Sequence, residues 1–379
     1  MRIRRAHAGA VLAAAGALNF WLLKSGTPGS IAAGVSLAVI CLSMSWLLAS
    51  GRQKESRPSY AALKPSLVDA VPADKPLKMA QSQLVNAFTV DLEDYFQTEV
   101  ASRAVKYEDW EKMPSRVESS VHRLLDLMDE TNTRSTFFVL GWSARKYPGL
   151  IREVARRGHE IGCHSFRHLM VNRLTPDVFL EDTRIAKEII EDTTGAVVEG
   201  YRAPSFSITP GTEWAFKILE QLGFSYDSSV HPVWHAAYGN AKAPRFPYYL
   251  EGTSILEIPI ATWRLGGLNL PVGGGAYMRL LPYRYIRCGL SSVNKREWQP
   301  VTLYVHPWEI DYLQPAIHSG WASHARQIWG TRTMEPKLRM LLSSMRFAPI
   351  RKAYAQSLSA NPPVFTRSGH PTPSFAHVS

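Results

Sequence analysis

A chain of 379 residues with 45% apolar content can bury one large core and still carry accessory segments at its ends. Its formal charge of +11 is spread along the chain without a basic helix or an interleaved aromatic stripe, so no nucleic-acid-binding motif accompanies it. Three cysteines, Cys41, Cys163 and Cys288, do not make a disulfide framework and lean toward a reducing compartment.

The first fifty residues read as membrane-spanning. Ile31 to Ala49 is uncharged and close to the length of a span, and Ala8 to Leu23 is a shorter apolar stretch. A helical hairpin, a signal peptide followed by a further segment, and a single span all fit this pattern. Arg2, Arg4 and Arg5 precede the block, Arg52, Lys54 and Arg57 follow it, and only Lys24 lies between. That asymmetry favours a hairpin with both ends in the cytoplasm. Residues 51–83, rich in Pro, Ser, Lys and Ala, read as a flexible linker, and 351–379 as a disordered tail.

Between them, 84–350 reads as one α/β domain. Apolar runs expected as buried strands fall at 86–90, 135–140, 159–163, 197–202, 224–226, 255–259 and 301–305. Val117 to Glu130 has apolar residues at helical spacing, and Leu150 to Arg157, Pro176 to Thr193 and Glu213 to Leu222 are also expected as helices. Gly158 and Gly223 stand where C-terminal caps belong. Strands alternating with helices imply a parallel sheet.

The chemistry gathers at the ends of these runs. His164 and His168 are spaced to share one face of a helical turn, so both rings can converge on a cation. Asp91-Leu92-Glu93-Asp94 ends the first strand, Arg202-Ala203-Pro204-Ser205-Phe206 follows the fourth, and His306-Pro307-Trp308-Glu309 follows the last. A histidine pair, strand-end carboxylates, an arginine and a third histidine are the parts of a metal hydrolase. Cys163 and His159 read as buried structural residues. Gly273-Gly274-Gly275 lacks the Lys-Ser/Thr of a phosphate loop and points to close backbone approach at the site mouth.

These motifs, from about Leu84 to about Pro349, resemble the polysaccharide deacetylase, or NodB-homology, family. Asp91 to Phe96, Tyr201 to Thr209, Gly273 to Tyr277 with Arg279-Leu280-Leu281-Pro282, and His306 to Asp311 are similar to the subgroup found with bacterial exosortase and exopolysaccharide gene clusters. The resemblance implies a distorted (β/α)7 barrel, with the active site at the C-terminal ends of the strands. It implies a divalent metal, zinc first and Co2+, Ni2+ or Mn2+ as alternatives, held by His164, His168 and an acid. Leu92 stands where the commoner pattern has a second Asp, so the acid is Glu93 or Asp94. The strand period favours Glu93, whereas a sharp turn after Leu92 would bring Asp94.

By the same resemblance Asp91 is the catalytic base, Arg202 its partner, and His306 the acid that protonates the leaving amine. The Ser205 N–H is an oxyanion donor and Phe206 lines the sugar site. Asp227 is a candidate to orient His306, or else a turn residue. The activity implied is de-N-acetylation of an N-acetylated sugar, on a polymer or a lipid-linked precursor, by a barrel tethered to the inner membrane on its cytoplasmic side. Alternatives are an amidohydrolase acting on a non-carbohydrate amide and a glycan-binding barrel without turnover.

Overall fold

Asn86–Leu92 forms β1, with every side chain buried, as expected of a parallel strand covered on both faces. It belongs to a computed structural model that describes residues 84–235, 238–317, 327–359, 364–365 and 371–372. The expected membrane block and linker lie outside those residues. Among the described residues no helix is long and apolar enough to cross a membrane.

The strands that follow are β2 (Thr136–Val139), β3 (Glu160–Cys163), β4 (Gly200–Tyr201), β5 (Tyr226–Asp227), β6 (Tyr248–Leu250), β7 (Leu256–Glu257), β8 (Thr262–Leu265), β9 (Leu268–Pro271), β10 (Thr302–Val305) and β11 (Phe347–Ala348). Seven of them coincide with the seven apolar runs and pair in parallel in the order β10–β1–β2–β3–β4–β5–β7. The sheet is curled. Between β7 and β10 the gap is bridged by backbone outside the ladders: Ala261 N–H donates to Thr302 O at 3.0 Å and Tyr304 N–H to Gly273 O at 2.8 Å.

The helices are α1 (Val117–Glu130), α2 (Gly141–Lys146), α3 (Pro148–Arg156), α4 (Pro176–Thr194), α5 (Trp214–Gln221), α6 (Gly275–Leu280), α7 (Tyr283–Ser292) and α8 (Thr331–Ser344). The apolar stripe of α1, Val121, Leu124, Leu125 and Met128, is fully buried. Truncating one of those leucines to alanine would cost about 2–5 kcal/mol. Gly158 and Gly223 take positive φ just past α3 and α5, as their capping role requires.

The start of the expected tail joins the domain instead. Ile350–Ala353 and Ala355–Ser359 are helical. Ile350 and Tyr354 pack on Ala87, Phe138 and Leu256, and the Tyr354 hydroxyl shares a 2.8 Å hydrogen bond with Thr302 Oγ1. Within the tail itself, Tyr354 and Leu358 pack on this cluster and anchor it.

Candidate active site

Asp91 is the last inward-facing residue of β1, and Arg202 directly follows β4. Arg202 is completely buried. Its Nη1 donates to Asp91 Oδ1 at 2.6 Å and to Thr89 Oγ1 at 2.7 Å. Its Nε and Nη2 donate to Ser228 O at 3.0 Å and Ser228 Oγ at 2.8 Å, and the Phe138 ring lies 4.2 Å from the guanidinium. A buried ion pair with this many satisfied donors fixes the carboxylate in one orientation.

The chain turns at once after β1: Glu93 N–H bonds back to Asp91 O at 3.0 Å, an i to i+2 turn. The turn throws the two following acids in opposite directions. Glu93 enters the site, where its carboxylate lies 3.5 Å from His168 Nε2 and 4.0 Å from His164 Nε2. Asp94 leaves it. The Asp94 carboxylate accepts from Ser115 Oγ at 2.7 Å and from the backbone N–H groups of Arg116 and Val117 at 2.8 and 3.2 Å. It therefore caps α1 from a distance, as N-terminal donors favour. Asp94 as a metal ligand is thus corrected, because its oxygens are already committed.

His164 and His168 do converge, with ring centroids 5.3 Å apart, although not on a helical turn. They sit on an irregular loop after β3 in which Ser165 and His168 have φ of 67° and 55°. Non-glycine residues hold such angles only where surroundings enforce them. Here Asp182 of α4 accepts from Phe166 N at 2.8 Å and Arg167 Nε at 2.9 Å, and Gly141 N–H donates to Ser165 O at 2.9 Å. Nothing in the sequence marked Asp182, which reads as an ordinary polar residue of a helix.

Glu93, His164 and His168 each offer one ligand atom, all within 4.8 Å of one another. Glu93 Oε2 is buried and takes no hydrogen bond. His164 Nδ1 is paired with the Arg202 carbonyl at 2.7 Å, which leaves Nε2 as the lone-pair nitrogen facing the cluster. Burial pulls the His164 imidazole down to about 4. Burial would raise Glu93, but His168, His306 and His164 hold it at about 2. Two imidazole nitrogens and a carboxylate with an orphaned buried oxygen make a donor set that fits a divalent cation.

His306 follows β10, and its Nε2 faces this cluster, 3.1 Å from Glu93 Oε1 and 3.9 Å from Asp91 Oδ2. Its Nδ1 lies 3.2 Å from Glu309 Oε2, and Arg279 Nε donates to Glu309 Oε1 at 2.8 Å. Burial lowers the imidazole, but Glu93 and Glu309 prevail and raise it well above its usual range. Asp227 does not orient His306. Its carboxylate accepts from Ser229 N at 3.0 Å and Ser229 Oγ at 2.6 Å and faces Glu257, whose pKa burial and Asp227 push far up.

Ser205 and Phe206 both take φ of 53°, and the Ser205 N–H bonds to no acceptor among the described residues. Phe206 is 5% exposed and packs on Ile260 and Tyr304. Cys163 and His159 are buried, as expected of structural residues. Sequence reading missed Glu309 and Arg279 as functional residues. Their signals were a glutamate three residues after a histidine, and an arginine one turn after the triple glycine.

Residues 104–226 match the family model described as polysaccharide deacetylase, and 228–355 match one described as a domain of unknown function (DUF3473). Residues 104–226 are thus similar to the polysaccharide deacetylase family. Deacetylase relatives include a peptidoglycan-N-acetylglucosamine deacetylase of Bacillus cereus, 29% identical over 123 residues, covering 29% of this chain and 45% of that protein. A peptidoglycan deacetylase of Helicobacter pylori is 30% identical over 171 residues, 40% of this chain and 55% of that protein. The chain thus spans about half the length of these curated relatives. A solved structure described as a polysaccharide deacetylase, from Mycobacterium smegmatis, shares the fold with a TM-score of 0.51 at 20% identity, covering 83% of this chain and all of that one. His164, His168 and Arg202 fall in the deacetylase match, Asp91 and Glu93 precede it, and Arg279, His306 and Glu309 fall in the domain of unknown function.

Proposed function

We propose that this protein is a metal-dependent hydrolase that removes the acetyl group from an N-acetylated sugar, releasing acetate and a free amine. The observation that carries the reading is the convergence of Glu93, His164 and His168 beside the Asp91–Arg202 pair, with His306 Nε2 3.1 Å from Glu93 Oε1. A divalent cation bound by Glu93, His164 and His168 would polarise the acyl carbonyl and acidify water at the same centre.

The residues of the chain supply the rest. Asp91 Oδ1 is held by Arg202, so Oδ2 is the oxygen that takes the proton from the attacking water as its oxygen bonds the acyl carbon. The Ser205 N–H supports the oxyanion. His306 Nε2 then gives a proton to the nitrogen while the C–N bond breaks, because an unprotonated amine is a poor leaving group. The peptidoglycan deacetylases among the relatives support an N-acetylglucosamine-containing glycan as substrate class.

Exopolysaccharide biosynthesis is the context that the motif resemblance supports. Flanking charges support an inner-membrane tether at 1–50 with the barrel in the cytoplasm, where it would meet a lipid-linked precursor. Mass spectrometry of N-acetylglucosamine oligomers and lipid-linked saccharides incubated with the full-length protein should show loss of acetyl groups that chelation abolishes. Intact acetyl groups on every glycan, with an amide outside carbohydrates hydrolysed instead, would refute it. A periplasm-dependent reporter active when fused after Ser56 would move the barrel across the membrane and shift the substrate to the exported polymer.

A further inference from the structure

We infer that the C-terminal half, which matches a family model of unknown function, contributes the acid arm of the site, with Arg279 and Glu309 as positioning residues for His306. The inference rests on the deacetylase reading. Glu309 is completely buried and its two oxygens are divided between two tasks. Oε1 takes Arg279 Nε at 2.8 Å. Oε2 takes the His306 backbone N–H at 3.0 Å and faces the His306 ring at Nδ1, 3.2 Å away. One carboxylate thus fixes both the backbone and the imidazole of the same histidine. An acceptor at Nδ1 assigns the ring proton there and turns Nε2 into the cleft.

Four further contacts restrict the ring and its support. Trp308 stacks on His306 at 5.3 Å and 21°, and the Arg279 guanidinium lies 5.1 Å from the Trp308 ring. Arg279 Nη1 donates to Gln327 O at 3.1 Å and Trp329 O at 2.7 Å. The triple glycine gains its explanation here. A Cβ on Gly275 would sit 1.7 Å from Glu309 Oε2, so the first residue of α6 must be glycine for the carboxylate to reach His306. The nearby acid on β5, Asp227, is committed to Ser229 and Glu257 and leaves Glu309 to this role. A buried ion pair is weak evidence for stability, and both bonds from His306 to one oxygen point to orientation instead.

In the step that follows, the proton on His306 Nε2 passes to the nitrogen of the tetrahedral adduct as its C–N bond breaks. Glu309 stays ionised, accepting from Nδ1 throughout, as an orienting carboxylate does.

The test compares the full-length protein with Glu309→Gln, Gly275→Ala and the double variant Arg279→Met/Glu309→Gln. Substrates are an N-acetylglucosamine oligomer and an aryl acetate, whose leaving group needs no proton. Glu309→Gln and Gly275→Ala should lower kcat on the oligomer about a hundredfold or more with KM near that of the parent, and lose less than about tenfold on the ester. The double variant, which removes both charges, should lose no more than Glu309→Gln alone. The Nδ1 proton resonance of His306 should be present in the parent and lost in Glu309→Gln. Equal loss on both substrates, retained turnover on the oligomer, or an unchanged resonance would overturn the inference. So would failure of both Glu309→Gln and the double variant to fold, which would make the pair structural. A parent protein inactive on both substrates would instead refute the deacetylase reading.

Discussion

The two sides of the site are built differently. On the side of β1, β3 and β4, the groups are sealed: Asp91 and Arg202 are no more than 2% exposed, and Arg202 meets Asp91, Thr89 and Ser228 at once. On the side of β10 and α6, His306 is 18% exposed and lies between two carboxylates, Glu309 at Nδ1 and Glu93 at Nε2. The first side can afford rigidity because a base and a cation cradle must hold one geometry. In the proposed reaction the second carries the group that must reach the leaving nitrogen. The difference teaches where damage should be local and where it should spread.

The largest effects belong to the sealed side. His164→Ala or His168→Ala should abolish bound metal and turnover together while the domain stays folded; elemental analysis showing full occupancy in both variants would break the contrast. Asp91→Asn should retain metal and lower kcat by about two to four orders of magnitude. Because it leaves Arg202 buried without its counter-charge, it should also lower stability by about 3–5 kcal/mol, read by denaturant unfolding. Near-normal kcat would remove Asp91 from the role of base.

Asp227 sharpens the comparison. It sits at a strand end like Asp91, yet its partners are Ser229 and Glu257, with no contact to His306. Asp227→Asn should keep kcat within about threefold, as expected for a residue outside the reacting groups. A loss as large as that of Glu309→Gln would return the orienting role to Asp227.

The smallest effect lies outside the site. Burial holds His159 at about 4, below its usual 6.5. The unfolded chain therefore takes up this proton first as pH falls. The stability that neutral His159 allows is complete above 6.5 and is lost as pH drops toward 4, by at most about 3 kcal/mol. His159→Asn, which keeps an acceptor for Ser135 N–H, should flatten that slope in thermal unfolding between pH 7 and 4.

Much of this was legible because period and residue type coincide. The seven strand runs are short apolar stretches between helical patterns, and each is a strand. Asp91, His164, His168, Arg202 and His306 stand out as reactive residue types at strand ends, and the fold brings all five together. What was hidden depends on chain direction after a strand stops. Strand alternation favoured Glu93, the acid that enters the site, but the tight turn at Glu93 that sends Asp94 away was not visible in it. The left-handed residues Ser165 and His168 replace an expected helical turn, because a His-x-x-x-His spacing cannot reveal φ. Glu309 was masked by its nearness to His306, and Arg279 by its distance from it in sequence. Phe206 showed a motif position but not that Tyr304 and Ile260 would enclose it.

Metal content of Glu93→Ala and Asp94→Ala, measured side by side on the full-length folded protein, tests the account most directly. Glu93→Ala should lose stoichiometric metal, and acetyl removal with it. Asp94→Ala should keep its metal and lose about 0.5–2 kcal/mol of stability, as a missing helix cap does. Full occupancy in Glu93→Ala together with metal loss in Asp94→Ala would contradict the cradle of Glu93, His164 and His168.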